Sequence, residues 1–272
     1  MKNKVLERIG NINPNQNLGQ HFLVDEDIVN LLGQQVIPGN TVIEIGAGVG
    51  QLTEVLAKKA GKVIAVEIDK RYRNILKKIE KGNKNTEVIF DDVLKIQLRS
   101  YITKGKTQIV SNLPYHITEP FLHILSELKI VNATLVVGER LGKAVTSNEE
   151  NLEFGKLALF VQTFFDVELL GKVEKNKSYP VPRTNSCVIK LTPKKEFKNK
   201  RSFLLKRLFI TSKRNPLVKN ALKEGIIEFE GTTQNQAREE IREMKISEEI
   251  LNKSFEQLNN SELRIFSEKL KI

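Results

Sequence analysis

The tetrapeptide Asn112-Leu113-Pro114-Tyr115 combines residue types suited to chemistry on an aromatic amino group. Such a nitrogen, as in adenine, is a poor nucleophile because its lone pair is delocalised into the ring. Two acceptors, the Asn112 side-chain oxygen and the Leu113 carbonyl, could hold both N–H groups and favour a pyramidal nitrogen facing a methyl donor. Pro114 fixes φ and removes a competing N–H, while Tyr115 offers a stacking face for a base. The motif therefore predicts catalytic residues for amino-group methylation that needs no general base; an ordinary Asn-Pro turn is the alternative.

A glycine-rich segment earlier in the chain is the first candidate cofactor site. Gly46, Gly48 and Gly50 follow a short apolar run and precede a helical stretch. Glycines allow a tight strand-to-helix turn and let the backbone approach a ligand closely. The spacing is G-x-G-x-G and not the G-x-G-x-x-G of dinucleotide-binding turns, which argues against a nicotinamide dehydrogenase. We expect Gly46 and Gly48 to bind a cofactor, although a tight turn without a ligand has the same pattern.

Acidic residues end the next two apolar runs. Glu67 could accept both ribose hydroxyls of an adenosine in the neighbouring crevice; the alternative is an exposed acid that pairs with Lys70 or Arg71. Asp91 and Asp92 follow the third run, and one of them could accept a hydrogen bond from the adenine amino group. Spacing alone leaves that choice open. A methyl donor that carries adenosine is S-adenosylmethionine, and no metal is required.

The composition restricts the partners. The chain has 272 residues, a net charge of +11 and three His, and its pI is near 9.5. This charge favours nucleic acid or an anionic membrane surface as a partner, unless it is only a solvated Lys-rich surface. No apolar run approaches the ~20 residues of a membrane span, and no signal peptide is evident. Cys187 is alone, which suits a reducing cytoplasm and makes a structural zinc site implausible. A cytoplasmic monomer is expected.

The elements that must position these residues alternate short β-branched runs with helical stretches, which is typical of a parallel α/β sheet. The first five predicted strands alternate with helices, whereas a polar loop alone separates the last two. This ending favours a Rossmann-like class I methyltransferase sheet closed by a C-terminal antiparallel hairpin. The predicted strands are Thr41–Ile45, Lys62–Val66, Thr86–Phe90, Gln108–Ser111, Ala133–Val137, Phe165–Leu170 and Ser186–Leu191.

After Pro193 the pattern changes to amphipathic helix with no strand-like alternation. We therefore predict a catalytic domain over residues 1–193 and a small all-helical domain over residues 194–272. Between Lys190 and Lys223 the chain is dense in Lys and Arg, with Glu196 as the only acid. Such a patch suits RNA phosphates, although a solvated helical face is the alternative. The residues expected to contact phosphate are Lys213, Arg214 and Lys219.

Taken together, these residues resemble the KsgA/Erm family of ribosomal RNA adenine N6-dimethyltransferases, from about Asn13 to Leu222. Residues 18–25, L-G-Q-H-F-L-V-D, resemble the family's N-terminal motif G-Q-N/H-F-L-x-D. In the family this segment covers the cofactor, which implies that His21 and Leu23 contact S-adenosylmethionine. The resemblance also implies cofactor contacts at Gly46, Glu67, Asp92 and Asn112. It places the target base against Asn112, Leu113 and Tyr115.

One departure concerns the hairpin motif. Residues 180–186, P-V-P-R-T-N-S, resemble the family's P-x-P-K-V-x-S. The family usually carries Phe two residues before the first Pro, where it helps to sandwich the target base. Here that position is Ser178, and the aromatic residue is Tyr179. Either Tyr179 supplies the second stacking ring through a shift of register, or that face is missing.

Within the family, residues 213–222 resemble the KsgA stretch and not the corresponding Erm sequence. The expected function is N6-methylation, and in KsgA dimethylation, of adenines in small-subunit ribosomal RNA during ribosome maturation. One alternative is an Erm-type enzyme that acts on large-subunit RNA and confers macrolide resistance. Another is a nucleic-acid-binding factor that has lost catalysis. A protein glutamine methyltransferase could also use an Asn-Pro-Tyr loop, but it leaves the basic helical domain unexplained.

Overall fold

The computed structural model describes residues 1–147, 155–197, 199–214 and 216–270. The chain forms two compact units. The first unit consists of Met1–Gly142 and Asp166–Pro193, and the second of Lys143–Phe165 and Lys194–Ile272. The sequence predicts one boundary near Pro193, and the structure places Lys143–Phe165 with the helical unit as well.

Among the described residues, helices occur throughout the chain and the strands lie before residue 194. The helices are α1 Lys2–Ile9, α2 Glu26–Gln34, α3 Gln51–Ala57, α4 Arg73–Gly82, α5 Thr118–Ser126, α6 Glu139–Thr146, α7 Lys156–Phe164, α8 Lys200–Thr211, α9 Val218–Glu230, α10 Gln234–Glu243, α11 Glu248–Leu251 and α12 Asn260–Lys269. The strands are β1 Phe22–Leu23, β2 Thr41–Ile45, β3 Lys62–Glu67, β4 Thr86–Phe90, β5 Thr107–Asn112, β6 Ala133–Gly138, β7 Phe165–Val173, β8 Ser178–Tyr179 and β9 Ser186–Pro193.

Seven strands form one sheet in the order β4-β3-β2-β5-β6-β9-β7. The first five of these pair in parallel, and β9 lies antiparallel to β6. The predicted fold class is confirmed, with all seven predicted strands present. The central strands are buried on both faces, as the helices on either side of a parallel sheet require.

The register brings the carboxyl ends of the strands to one edge. Ile45 of β2 pairs with Val66 of β3, and Glu67 of β3 pairs with Phe90 of β4. Ligands of open α/β sheets bind outside this edge, where the order of the strands reverses. The reversal falls between β2 and β5 because β5 adds to the opposite side of β2 from β3.

The sequence did not predict the two short strands, β1 and β8, which form a separate antiparallel sheet. Phe22 pairs with Tyr179, and Leu23 pairs with Ser178. Two-residue strands are too short to show alternation of apolar and polar residues, so the sequence carries no local signal for them. Their pairing joins the N-terminal segment to the loop before β9.

The described part of the second unit is mainly helical, as predicted for the region after Pro193, with one isolated β-bridge between Leu217 and Ser254. Its core includes an aromatic cluster: Phe160 of α7 packs edge-to-face on Phe209 of α8 at 5.2 Å, and Phe209 packs on Phe255 at 4.9 Å. These contacts explain why α7 belongs to the helical unit. Within the part of the chain that the structure describes, no helix has both the length and the apolar character needed to cross a membrane.

Candidate active site

A cleft lies along the carboxyl edge of the sheet in the first unit. It has about 920 Å³ of empty space, including the part open to solvent. Residues from the ends of β2, β3, β4 and β5 line it, together with the N-terminal segment. The predicted site residues along the cleft are His21, Gly46, Gly48, Glu67, Asp92, Asn112, Leu113, Pro114 and Tyr115.

The glycine turn between β2 and α3 adopts a backbone that other residues avoid. Gly46 and Gly48 have φ of +71° and +57°, in the left-handed region that favours glycine. A Cβ atom on Gly48 would lie 2.7 Å from Cε1 of Phe22. The Gly48 amide also donates to Glu67 Oε2 at 2.7 Å. The turn therefore depends on glycine for its conformation and for its close packing.

Glu67 is fixed at the end of β3 by the backbone around it. It is 5% exposed. Its Oε2 accepts from Gly48, and its Oε1 accepts from the Asp69 amide at 2.8 Å. Each carboxylate oxygen has a second lone pair, so both can still accept a hydroxyl. Burial raises the pKa of Glu67 above its ordinary value, despite these two hydrogen bonds. The geometry fits an acceptor for a ribose diol.

Asp91 and Asp92 both lie at the cleft, after β4. Asp91 is exposed, whereas Asp92 is half-buried. Asp92 Oδ1 accepts from the Leu94 amide at 3.0 Å, and its other oxygen lies 3.5 Å from Lys95 Nζ. The half-buried, partly anchored Asp92 suits a fixed contact better than exposed Asp91.

The N-terminal segment is attached to the cleft at several points. Gln20 donates to Asp69 Oδ2 at 2.7 Å and accepts from the Tyr72 hydroxyl at 3.1 Å. His21 Nδ1 lies 2.7 Å from the Pro180 carbonyl oxygen. Lys177 Nζ forms an ion pair with Asp25 Oδ2 at 2.5 Å. We call residues 20–25 the strap, because they link the β3 end to the loop before β9.

Asn112, at the end of β5, is tied to the strap. Its Nδ2 donates to the His21 carbonyl at 2.7 Å. Because the amide nitrogen is engaged there, the side-chain oxygen of Asn112 is left to accept a hydrogen bond. The Leu113 amide donates to the Val136 carbonyl at 3.2 Å, and within the described residues no backbone amide outside the regular strand and helix bonds donates to the Leu113 carbonyl. Both predicted acceptors are therefore available.

Tyr115 begins a single 3-10 turn, Tyr115–Ile117, beside this pair of acceptors. Its hydroxyl lies 2.6 Å from the Ser186 hydroxyl. The centroid of its ring lies 5.9 Å from that of His21, with the planes 32° apart. Tyr115 therefore lies at the cleft with its ring held from the hydroxyl end.

Two residues that the sequence did not single out, Glu44 and Gln51, also line the cleft. Glu44 is 2% exposed and accepts from Thr53 Oγ1 at 2.5 Å. Burial raises the pKa of Glu44 to about 8. Gln51 Oε1 is buried and has no donor among the described residues. The only local signal for either residue is its position beside the glycines.

The residues present fit S-adenosylmethionine. A buried acceptor without a donor is costly unless a ligand completes it, and Gln51 Oε1 suits the cofactor's ammonium group. Glu67 suits its ribose hydroxyls, and Asp92 its adenine amino group. The glycine turn lines the same cleft, and the space beside Gly46 and Gly48 is filled by Pro114 and Phe22.

The structure does not bring two of the predicted residues into the cleft. Leu23 is fully buried in the core, and only its carbonyl reaches toward the site, accepting from Gln51 Nε2 at 3.5 Å. In β8, Ser178 is buried and lines the cleft, whereas Tyr179 is 36% exposed and does not. Successive residues of a strand point to opposite faces. The register thus places Ser178, and not the Tyr179 ring, beside the cleft.

The predicted RNA contacts lie in the second unit. Arg214 is exposed, and Lys219 Nζ donates to the neutral Asn252 Oδ1 at 2.6 Å. The side chain of Lys213 lies outside the described residues. Other cations of the basic run are neutralised within the unit: Lys200 pairs with Glu230 and Glu240, and Arg207 pairs with Glu224 and Glu228.

Known proteins resemble the chain over most of its length. Residues 11–265 match the family model of ribosomal RNA adenine dimethylase. The ribosomal RNA small subunit methyltransferase A of Mycoplasmopsis pulmonis is 37% identical over 211 residues, which cover 74% of this chain and 81% of that protein. The probable enzyme of the same name from Pyrococcus abyssi is 32% identical over 215 residues, which cover 78% of this chain and 77% of that protein.

A dimethyladenosine transferase from Plasmodium falciparum has the same fold. Its TM-score is 0.63 at 22% identity, and the match covers 92% of this chain and 98% of that one. The family match spans both the cleft residues and the helical unit. The chain therefore belongs to the ribosomal RNA adenine dimethylase family.

Proposed function

We propose that this protein uses S-adenosylmethionine to methylate the N6 amino groups of adenines in small-subunit ribosomal RNA, with two methyl groups added to each. The observation that carries the proposal is the placement of Asn112, Leu113 and Tyr115 at the edge of a cleft that also holds Glu67 and the glycine turn. The relatives named as small-subunit methyltransferases support the choice of RNA.

Bound at the glycine turn, the cofactor supplies an electrophilic methyl group on its sulfonium sulfur. Glu67 accepts its ribose hydroxyls, Asp92 its adenine amino group, and Gln51 Oε1 its ammonium group. Asn112 Oδ1 and the Leu113 carbonyl accept the two N–H groups of the target adenine. These two acceptors favour a pyramidal nitrogen and so expose its lone pair. Bulk water takes up the proton that the amine loses.

The target base must leave its helix or stack to enter the cleft, which costs a few kcal/mol. Stacking on Tyr115 offsets part of that cost by about 1–3 kcal/mol. Arg214, Lys219 and Lys213 contact phosphates of the surrounding RNA. RNA grooves are poorly read by side chains, so the shape of the RNA selects the site.

The substrate assignment is tested with isotope-labelled cofactor and purified small and large ribosomal subunits that lack the modification. We expect label in the small subunit, and mass spectrometry of its nucleosides should show N6,N6-dimethyladenosine. Label in the large subunit alone would support the Erm-type alternative and refute this proposal. Absence of label in both would support a binding factor without catalysis.

The role of Asn112 is tested by Asn112→Ala. Loss of one acceptor for the amino group should lower the rate of methyl transfer at least about 100-fold, as for loss of one preorganised hydrogen bond to a transition state. Cofactor affinity, measured by calorimetry, and RNA affinity should remain within several-fold of wild type. Asn235→Ala, at an exposed position of α10, is the matched control. Turnover that is unchanged in Asn112→Ala would contradict the mechanism.

A further inference from the structure

The hydroxyl of Ser186 contacts the Tyr115 hydroxyl from outside the segment that carries Tyr115. The two hydroxyl oxygens lie 2.6 Å apart, between residues separated by 71 positions in sequence. Ser186 is 4% exposed. A buried hydroxyl needs a partner, and Tyr115 provides it through a part-buried hydrogen bond.

Ser186 is fixed independently of Tyr115. It is the first residue of β9 and pairs with Gly138 at the end of β6. The carbonyl of the preceding residue, Asn185, accepts from the Glu139 amide at 3.0 Å, and Asn185 Oδ1 accepts from the Lys175 amide at 3.1 Å. Three separate connections therefore hold the backbone at Ser186 in place.

Tyr115 is held less firmly by its own segment. It begins a 3-10 turn of three residues, and its side chain is half-buried at the cleft. The Leu113 amide anchors the backbone on one side of Pro114. With its hydroxyl on Ser186, the ring is held at both ends of its long axis, so it cannot swing across the cleft about the Cα–Cβ bond.

The geometry points to Ser186 as a positioning residue that holds the Tyr115 ring at the place where the target adenine stacks. This inference rests on the proposed function. Its consequence follows from the chemistry of the product of the first transfer. N6-methyladenine has one N–H group, so it can engage only one of the two acceptors, Asn112 Oδ1 and the Leu113 carbonyl. The second transfer therefore depends more on stacking than the first.

Ser186→Ala should slow the second methyl transfer by roughly fivefold, the order expected for one hydrogen bond, and slow the first transfer less. N6-methyladenosine should then accumulate in a time course followed by mass spectrometry, while cofactor affinity stays unchanged. Tyr115→Phe should have the same effect, and the double variant should be no slower than either single variant. Thr163→Val removes a buried hydroxyl bonded to the Leu159 carbonyl in α7 and serves as the control.

Additive effects of Ser186→Ala and Tyr115→Phe, or an unchanged ratio of monomethylated to dimethylated product, would overturn the inference. A merely structural role of Ser186 would persist in the Tyr115→Phe background and would leave that ratio alone. If wild type methylates neither subunit, the proposed function fails, and a second measurement still decides the role of Ser186.

That measurement is ¹⁹F NMR of the free protein labelled with 3-fluorotyrosine. The chain has four Tyr, and Tyr115→Phe removes one signal and so assigns it. Ser186→Ala should shift or sharpen the Tyr115 signal through faster ring motion and leave the other three in place. A Tyr115 signal that Ser186→Ala does not change would contradict the inference, whatever the activity.

Discussion

At the scale of single residues, two buried carboxyl groups next to the glycine turn stand out. Glu44 and Glu67 are 2% and 5% exposed, and burial raises the pKa of each. Asp69, two residues after Glu67, differs: burial alone would raise its pKa, but hydrogen bonds from Arg71 and Gln20 hold it below the ordinary value. The cleft region therefore contains acids with opposite pKa shifts within a few residues.

The raised pKa of Glu44 predicts a loss of stability with rising pH. Its pKa is about 8 in the folded protein against 4.5 for the ordinary value. The folded state therefore keeps a proton that the unfolded state loses, so this stabilisation is complete below pH 4.5 and disappears as pH rises to about 8. A pKa difference of this size between the folded and unfolded states corresponds to a stabilisation of up to about 5 kcal/mol.

The measurement is urea unfolding of wild type and Glu44→Gln at pH 5.5 and pH 8.5. The amide that replaces the carboxyl group in this variant has no titrating proton and can still accept from the Thr53 hydroxyl. All other titrating groups are common to both proteins, so their contributions largely cancel in the comparison. Wild type should lose more stability between the two pH values than the variant, and equal losses would contradict the prediction.

At the scale of elements, the turn from β2 to α3 couples the sheet to the strap. Gly48 donates to Glu67, and its missing side chain makes space for Phe22, which packs edge-to-face on Tyr72 at 5.7 Å. The strap in turn accepts from Asn112. The proposed cofactor residues and the proposed amino-group acceptors thus share one packed arrangement.

Gly48→Ala should disrupt this arrangement. A left-handed alanine costs about 1–2 kcal/mol, and its Cβ would lie 2.7 Å from Phe22 Cε1, so the ring must move. We expect an unfolding free energy lower by about 1–3 kcal/mol and cofactor binding weaker by at least about tenfold in calorimetry. The matched control is Gly82→Ala at the end of α4, where a Cβ meets no atom within 4 Å. Equal cofactor affinity in the two variants would contradict the role of Gly48.

At the scale of the whole molecule, the net charge of +11 is unevenly distributed. Residues 194–223 contain eleven Lys or Arg and one Glu, whereas residues 224–272 contain seven Lys or Arg and eleven Glu. Within the second unit, several of these acids neutralise cations of the basic run, such as Lys200 and Arg207. The charges left for RNA are therefore fewer than the composition indicates.

Arg214→Ala and Lys219→Ala should each weaken binding to small-subunit RNA. Each loses one phosphate contact and the counterions that it releases, so the slope of log K against log salt should fall in magnitude by about 1. Arg242→Ala makes the same change of charge at an exposed position of α10, in the acidic part of the chain, and should leave the slope unaltered. Filter binding from 50 to 300 mM salt (roughly the range over which such contacts are screened) would measure all three. Equal slopes for wild type and the three variants would exclude phosphate contacts of Arg214 and Lys219.

Much of the fold could be predicted because its signals are local. The seven long strands are apolar runs, and the glycine turn and Asn112–Tyr115 motif lie at their ends. The predictions for Leu23 and Tyr179 depended instead on β1 and β8, two-residue strands whose faces only their mutual pairing sets. Similarly, α7 looks like part of the sheet domain in sequence, but Phe160 packs on Phe209 of the second unit. The domain limits and the roles of the site residues remain predictions.

By itself, the sequence determined the fold class and predicted an adenosine-binding pattern and two acceptors for an amino group, because each depends on residues close together in the chain. Only the tertiary structure decided how those acceptors are held. Asn112 is oriented by the His21 carbonyl, 91 positions away, and Tyr115 by Ser186, 71 positions away. These hydrogen bonds depend on strand order and on the β1–β8 pairing, which bring distant segments to one edge of the sheet. The spacing of residues within a short stretch of sequence cannot predict such contacts.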